Sequence, residues 1–597
     1  MSIDSKESFE ERNSKRQRIE GFKRDVHHLP IPNYTFTPKH PLGVKPLGNS
    51  LLADSKYQIN KNLQMGTLSV FPEDVLLEVL SYLNDPKDLM NLSHCSRVIY
   101  AYCWSEELWR QIYMNNPLDF LKWQGSWRRS LLNLPENIEA KVKCSGDLLC
   151  SDLLYRPYQC SQVNYEELFS KLIAEEYSYH LKGVTTDIID ELPGRIPRLN
   201  ESEMSLENFR NVWHGRPFIL TNSFSKRWPN WTIDSLLERF PNVKFRQEAV
   251  KWPLSLYSEY FDKNQDESPL YLFDARSDAM KQLIKEYKVP DCFQDDLFKV
   301  FDESSIKKSG KLELVECRPD HAWLIVGPKR SGSTFHKDPN HTSAWNTTLS
   351  GKKLWVMTPP NVVPPGVSTD LKEDEVTSPI GIAEWCISGF YNDALKMAKE
   401  GKCVVAITFP GECLYVPSCW WHAVINIDDC VALTQNFVPL IKLPTVLNFF
   451  KNKDLQISGF YPKKIIESLK ILVKRTETKN ENILEFKKFI ENYYRNENLT
   501  NPDEDIGELL IQKINHNLKL PIYSMFKELL IQNGYEKELQ NSELELQQQK
   551  NNKKKWSNLT NANNNSLLHN IITKKDENQT EKKFGFGFYF NEENDSD

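Results

Sequence analysis

The chain has 597 residues, about four domain-lengths, and carries 75 Lys and Arg against 81 Asp and Glu for a formal net charge of −6. That balance excludes a chain-wide polyanion-binding field, so direct nucleic-acid binding, RNA modification included, draws no support from it. No apolar run approaches the roughly 18 residues of a membrane helix, the charged start has no apolar stretch of a standard secretion signal, and the 12 cysteines form no CxxC pair, which points to a reducing compartment.

Residues 1–60 show neither helical nor alternating patterning and read as a disordered arm. Within it, Lys15-Arg16-Gln17-Arg18 fits a nuclear import signal and, equally, a solvated basic stretch. Nuclear localisation is the expectation, with cytoplasmic as the alternative. Order begins near Leu68, and residues 66–115 predict three short helices. Pro72 suits a first turn, followed by Glu73 and Asp74. Val75, Leu76, Val79, Leu80 and Leu83 share one face. Asp85 caps a second helix that Pro86 opens.

These residues, with Leu68, Leu89, Leu92, Val98 and Trp109, resemble an F-box, and FPEDVLLEVLSYL is the most specific part of the likeness. The resemblance implies docking to a Skp-type adaptor of a cullin ubiquitin ligase. The plainer reading is a helical bundle that buttresses the next domain, since a Leu/Val stripe at helical spacing is more often core.

Residues 116–199 form a connector holding Trp123 and Trp127, with Cys144, Cys150 and Cys160 at spacings that match no zinc pattern. From 200 to 445 short strands alternate with turns: 216–220, 322–326, 353–357, 413–417, 422–426 and 430–434. Such a run predicts a sandwich or jelly roll. Residues 446–540 return to helical periodicity. Residues 541–597 are Gln/Asn/Lys-rich and read as a disordered tail, in which Phe584 to Phe590 offers a short aromatic docking motif.

The chemistry centres on His336-Lys337-Asp338 and the distant His422. On an extended segment residues i and i+2 point the same way, so His336 and Asp338 reach one metal while Lys337 points away. Two imidazoles and one carboxylate make the facial triad of non-haem Fe(II) oxygenases, with open positions for a bidentate co-substrate and dioxygen. Zinc is the rival metal, although its catalytic sites keep a single open position. An HxD alone is weak.

Its surroundings sharpen it. GPKRSGSTFHKDPNHTSAWNTTLSGKKLWVMTPP and PGECLYVPSCWWHAVINIDDCVALTQNF resemble the Jumonji C family. SPLYLFD at 268–274 and YKVPDCFQDDLF at 287–298 are similar to its phosphatidylserine-receptor-like branch of lysyl hydroxylases and arginine demethylases. The resemblance implies an α+β protein: a double-stranded β-helix, cupin-like JmjC core between an N-terminal helical F-box and C-terminal helices. It implies Fe(II) on His336, Asp338 and His422, with 2-oxoglutarate as co-substrate. By the same likeness Lys353 and Thr434 hold the distal carboxylate, Tyr271 supplies a phenol, and Asn346 an amide near the oxalyl end. Taken singly, Lys353 is one of two solvated lysines, Thr434 and Tyr271 are strand packing, and Asn346 is a turn residue; the joint pattern favours function.

Two positions depart from the branch: Lys337, often apolar there, and Thr334, usually glycine. The second bears on substrate access. GPKRSGS lacks the GxxxxGK[ST] spacing and reads as a strand-to-strand loop. Trp420 and Trp421 suit a substrate wall or core equally. Two functions therefore stand side by side. One is an Fe(II)- and 2-oxoglutarate-dependent oxygenase that hydroxylates lysine or demethylates N-methyl arginine or lysine of a protein substrate. The other is a ubiquitin-ligase adaptor that uses the JmjC fold for recognition.

Overall fold

The computed structural model describes residues 65–117, 122–135, 164–182, 194–302, 315–475, 481–495 and 519–551, apart from short breaks within these spans. The arm with Lys15–Arg18, Pro72, the connector's three cysteines and the aromatic tail motif lie outside the described residues.

The F-box region holds four helices where three were expected: α1 (Glu73–Ser81), α2 (Pro86–Ser93), α3 (Arg97–Cys103) and α4 (Glu106–Asn115). A serine cap opens α3 and an acidic first turn opens α4. Ser96 Oγ accepts from Ile99 N at 3.1 Å, and Ser105 precedes α4 with Glu106 and Glu107 in its first turn, so the chain restarts a helix twice within ten residues. Asp85 caps α2 as expected, accepting from Lys87 N at 2.8 Å. The described parts of the connector pack onto the rest of the chain. Helix α5 (Trp127–Leu131) and Trp123 are buried in the same apolar cluster as α1 and α4, and α6 (Ser170–Lys182) is tied to the β-domain through Arg198, which bonds Glu176 and Glu412, each at 2.8 Å.

The strands follow: β1 (Arg198–Asn200), β2 (Phe218–Thr221), β3 (Lys244–Gln247), β4 (Val250–Pro253), then α7 (Leu254–Lys263), β5 (Leu272–Asp274), β6 (Ala322–Gly327), β7 (Gly332–His336), β8 (Ser343–Ser350), β9 (Lys353–Thr358), the small hairpin β10 (Ser368–Thr369) and β11 (Val376–Thr377), α8 (Phe390–Lys399), β12 (Val404–Thr408), β13 (Cys413–Val416), β14 (Trp421–Asn426) and β15 (Cys430–Phe437). They build a nine-stranded sheet, β1-β2-β13-β8-β15-β6-β5-β3-β4, and a four-stranded sheet, β12-β9-β14-β7.

Side-chain alternation gives each sheet two apolar faces. Ile219, Ala344, Leu414 and Val416 of the large sheet meet Trp355, Met357, Ala406 and Val424 of the small one in a single inner core. Trp345, Val431 and Leu433 point out of the large sheet into the cluster that also contains Trp109, Trp123 and Trp127, so the F-box core and the sheet's outer face are one apolar body. Phe335, Trp421, Ala423 and Ile425 point out of the small sheet under Phe169, Trp385 and Tyr391. The result is the expected jelly roll, with helices on both outer faces.

Helices α9 (Leu443–Asn452), α10 (Pro462–Arg475), α11 (Glu481–Arg495) and α12 (Ile522–Gln532) follow. Phe526 stacks on Phe301 at 5.5 Å and meets Phe450 edge-on at 5.6 Å, which docks this region by aromatic packing. Residues 536–551 form a separate helical unit. The stretch 541–551, expected to be disordered, is therefore helical. Its Glu and Gln favour helix, and bonds at i and i+4 such as Gln549 Nε2 to Glu545 Oε1 at 3.0 Å support it. No described helix is long and apolar enough to cross a membrane, and the described cysteines are free thiols, most of them buried.

Candidate active site

His336 ends β7 and His422 lies directly opposite it on β14, which brings the ring centroids to 4.2 Å. Asp338 follows β7 by two residues, and its Oδ1 is 3.9 Å from His422 Nε2. One ligand atom from each of the three lies within 4.8 Å of the others. Both imidazoles have a fixed tautomer. His336 Nδ1 donates to Thr334 O at 2.8 Å and His422 Nδ1 to Trp420 O at 3.1 Å, leaving each Nε2 a lone pair.

Burial holds His422 well below the usual imidazole range, with His336 adding to it, so its ring is neutral. Burial pushes the Asp338 carboxyl up to about 6, against the pull of His336 and a hydrogen bond from Asn436. Asp338 Oδ2 is buried with no hydrogen-bond partner. Two imidazoles and a carboxylate with an orphaned oxygen, their ligand atoms within 4.8 Å of one another, fit a divalent cation with open positions, as iron of the oxygenase type requires.

Four residues beyond His422, on the same face of β14, stands Asn426, directly opposite Lys353 on β9. Lys353 is 1% exposed. Its Nζ donates to Asn426 Oδ1 and to Tyr271 Oη, both at 2.8 Å. No carboxylate pairs with it among the described residues, so the pocket carries an uncompensated positive charge. That suits a small anion such as the distal carboxylate of 2-oxoglutarate. A Cβ on Gly327 would meet the Tyr271 ring at 2.5 Å, so glycine there lets the phenol lie against the strand.

The other expected pocket residues take their faces from strand parity. Ala432, Thr434 and Asn436 alternate with the outward Val431 and Leu433, and Ala432 packs with Tyr271. Asn346 is opposite Thr434, and its Oδ1 is buried without a partner. The Thr434 hydroxyl donates to Trp345 O at 2.9 Å, a contact within the sheet that must rotate away before it can donate to a carboxylate. His336, Asp338 and His422 thus meet in one cluster and Lys353 meets Tyr271, while Asn346 and Thr434 stand opposite each other on the large sheet.

Sequence reasoning missed three further polar groups. Asn426 grips Lys353 and donates through Nδ2 to Ser331 Oγ at 2.8 Å, while Asn436 serves Asp338. The signal was parity: Asn426 is i+4 from His422, and Asn436 is i+2 from Thr434. Lys337 points away from the triad as expected and lies over the Trp421 ring at 4.6 Å. Trp421 is core on the outer face, and Trp420 Nε1 bonds Gly215 O at 3.2 Å. GPKRSGS runs from the last residue of β6 through the loop 328–331 into β7.

A two-sheet jelly roll with such a metal-binding set beside a buried cationic pocket defines the class of cupin-type oxygenases. The comparisons agree. The cupin-like domain family matches residues 207–442, and the F-box-like family matches 68–115. Arginine-specific demethylase JMJ22 of Arabidopsis thaliana is 31% identical over 438 residues, 71% of this chain and 78% of that protein. Bifunctional arginine demethylase and lysyl-hydroxylase psr-1 of Caenorhabditis briggsae is 33% identical over 48% of this chain and 74% of that one. Lysine-specific demethylase JMJ21 of Arabidopsis thaliana is 33% identical over 63% of this chain, which spans only 37% of that relative's length. The chain belongs to the Jumonji C family of cupin-like, iron- and 2-oxoglutarate-dependent oxygenases, in the branch that holds JMJ22 and psr-1.

Proposed function

We propose that this chain oxidises a side chain of a protein substrate, hydroxylating lysine or demethylating N-methyl arginine or lysine. In this reading His336, Asp338 and His422 hold Fe(II), while Lys353, Tyr271, Asn426 and, after rotation, Thr434 hold the distal carboxylate of 2-oxoglutarate. The observation that carries it is the register of β14, which sets His422 and Asn426 on one face, the first opposite His336 and the second opposite Lys353. When bound, iron couples decarboxylation of 2-oxoglutarate to oxygen insertion: one atom of O2 enters a substrate C–H bond, the other enters succinate, and CO2 leaves. The chain's own residues orient the co-substrate and keep the triad dry on its sheet side. A hydroxylated N-methyl group releases formaldehyde. The test is mass spectrometry of lysine- and methylarginine-rich peptides incubated with the iron-loaded protein. A gain of one oxygen marks a hydroxylase and loss of a methyl a demethylase; neither, with wild-type protein folded and loaded, counts against these substrates. Nuclear residence belongs to the same proposal and rests on Lys15–Arg18; imaging after alanine replacement of that cluster tests it.

A second reading is compatible with the first: the F-box region docks a Skp-type adaptor. What favours it is an apolar stripe left exposed on the first turn and α1, formed by Leu68, Val70, Phe71, Val75, Val79 and Tyr82. Copurification of such an adaptor, lost on polar substitution of the stripe, is the test.

A further inference from the structure

Residues 339–341, directly after the ligand Asp338, form a tight turn in which Asn340 has φ 55° and His341 φ 56°. Two successive left-handed residues without glycine are strained, and histidine suits that region less than asparagine. Something outside the turn must hold it. Asn340 is buried, and both ends of its amide are spent on one distant residue: Nδ2 donates to Ser458 O at 2.9 Å and Oδ1 accepts from Ser458 N at 3.0 Å. The His341 ring lies 4.2 Å from Phe449 of α9. On the other side of Asp338, Lys337 Nζ bonds Glu373 Oε2 at 2.5 Å, and Gln456 Nε2 donates to Glu373 O at 3.2 Å. Both flanks of the carboxylate ligand are therefore tied to residues 449–458, past the end of the cupin-like match at 442.

We propose that segment 449–458 is a clamp on the metal loop and that Asn340 is its positioning residue, setting where the Asp338 carboxylate stands relative to the two imidazoles. A ligand set must be held to about 0.5 Å to keep its geometry; beside the hydrogen bond from Asn436, the backbone of this turn sets where Asp338 stands. The C-terminal region is then part of the metal site, although it supplies no ligand. The inference rests on the metal reading of the triad.

The test is Co(II) uptake by the full chain, followed by visible absorption, in wild type, Asn340→Ala and Asn340→Gly. Glycine accepts the left-handed backbone without strain but lacks the amide, so it folds where alanine does not. Loss of an outer partner of a metal site typically costs about 10–100-fold in affinity. Asn340→Gly is expected to weaken Co(II) binding about tenfold and to alter the d–d bands, beside a lowered thermal midpoint from the two hydrogen bonds lost to buried Ser458. Wild-type affinity and spectrum in a folded Asn340→Gly protein overturns the clamp. Lost stability with unchanged affinity makes Asn340 merely structural and also overturns it. Wild-type protein that takes up no Co(II) overturns the metal reading itself and the clamp with it.

Discussion

Replacing Lys353 by methionine separates co-substrate binding from folding. The side chain keeps its reach and loses its charge. A hydrogen bond to a charged group contributes about 1.5–3 kcal/mol, and stripping one partner from a buried charge pair costs about 2–5 kcal/mol. A value near 3 kcal/mol weakens 2-oxoglutarate binding on the order of a hundredfold. Stability moves differently. Without co-substrate, Lys353 is a buried ammonium with only neutral partners, Tyr271 and Asn426. Removing it relieves a desolvation cost of several kcal/mol, while leaving two polar atoms short of a donor at about 1–3 kcal/mol each. These terms oppose each other, so the melting temperature of the co-substrate-free protein shifts by no more than about 8 °C. Calorimetric titration of 2-oxoglutarate into the metal-loaded protein, beside thermal melts, reads both quantities. A dissociation constant within threefold of wild type in a folded Lys353→Met protein refutes the anion-pocket assignment. A melting temperature that collapses instead makes Lys353 structural. Lys353→Arg does not restore binding, because a planar fork does not fit a slot shaped for a point charge.

Three further outcomes follow from the F-box side. Burial, with nearby Asp266, pushes Glu106 up to about 7. A carboxyl whose folded value lies above its unfolded one contributes stability in full below the unfolded value and loses it as pH rises through the folded one. Denaturant unfolding of wild type is thus expected to show stability falling from about pH 4.5 to 7 by up to about 3 kcal/mol, and Glu106→Gln to flatten that slope. Arg110 donates to Ser268 O at 2.8 Å and lies 3.9 Å from the buried Asp266. Arg110→Ala takes the cation from that carboxylate, which keeps hydrogen bonds from Tyr260 Oη at 2.6 Å and Trp127 Nε1 at 2.8 Å, and is expected to destabilise the chain by about 3 kcal/mol in the same assay. Val79 is 49% exposed, so Val79→Asp leaves stability within about 0.5 kcal/mol but abolishes pull-down of a Skp-type adaptor.

What could be read in advance was what local periodicity encodes. HxD running off a strand in extended backbone, with a far histidine, predicts convergence because period 2 fixes which side chains share a face, and His336 meets His422 across β7 and β14. The capped start of α2 was equally legible. Long-range pairing was not. Asn426 and Asn436 are ordinary strand asparagines until register sets one opposite Lys353 and the other beside Asp338. Trp123 and Trp127 looked like connector residues because nothing nearby shows that Trp252 and Tyr260 complete their core, with ring centroids of 5.7 Å for Trp127–Trp252 and 5.1 Å for Trp123–Tyr260. The clamp on Asn340 is of the same kind, since its partner Ser458 is remote in sequence and offers only backbone.

The most direct test of the account is succinate release by purified, Fe(II)-loaded protein supplied with 2-oxoglutarate and oxygen, beside Asp338→Ala. The account predicts oxygen-dependent succinate from wild type, raised by a lysine- or methylarginine-rich peptide, and none above background from Asp338→Ala. Equal rates from the two proteins, both folded, would contradict it.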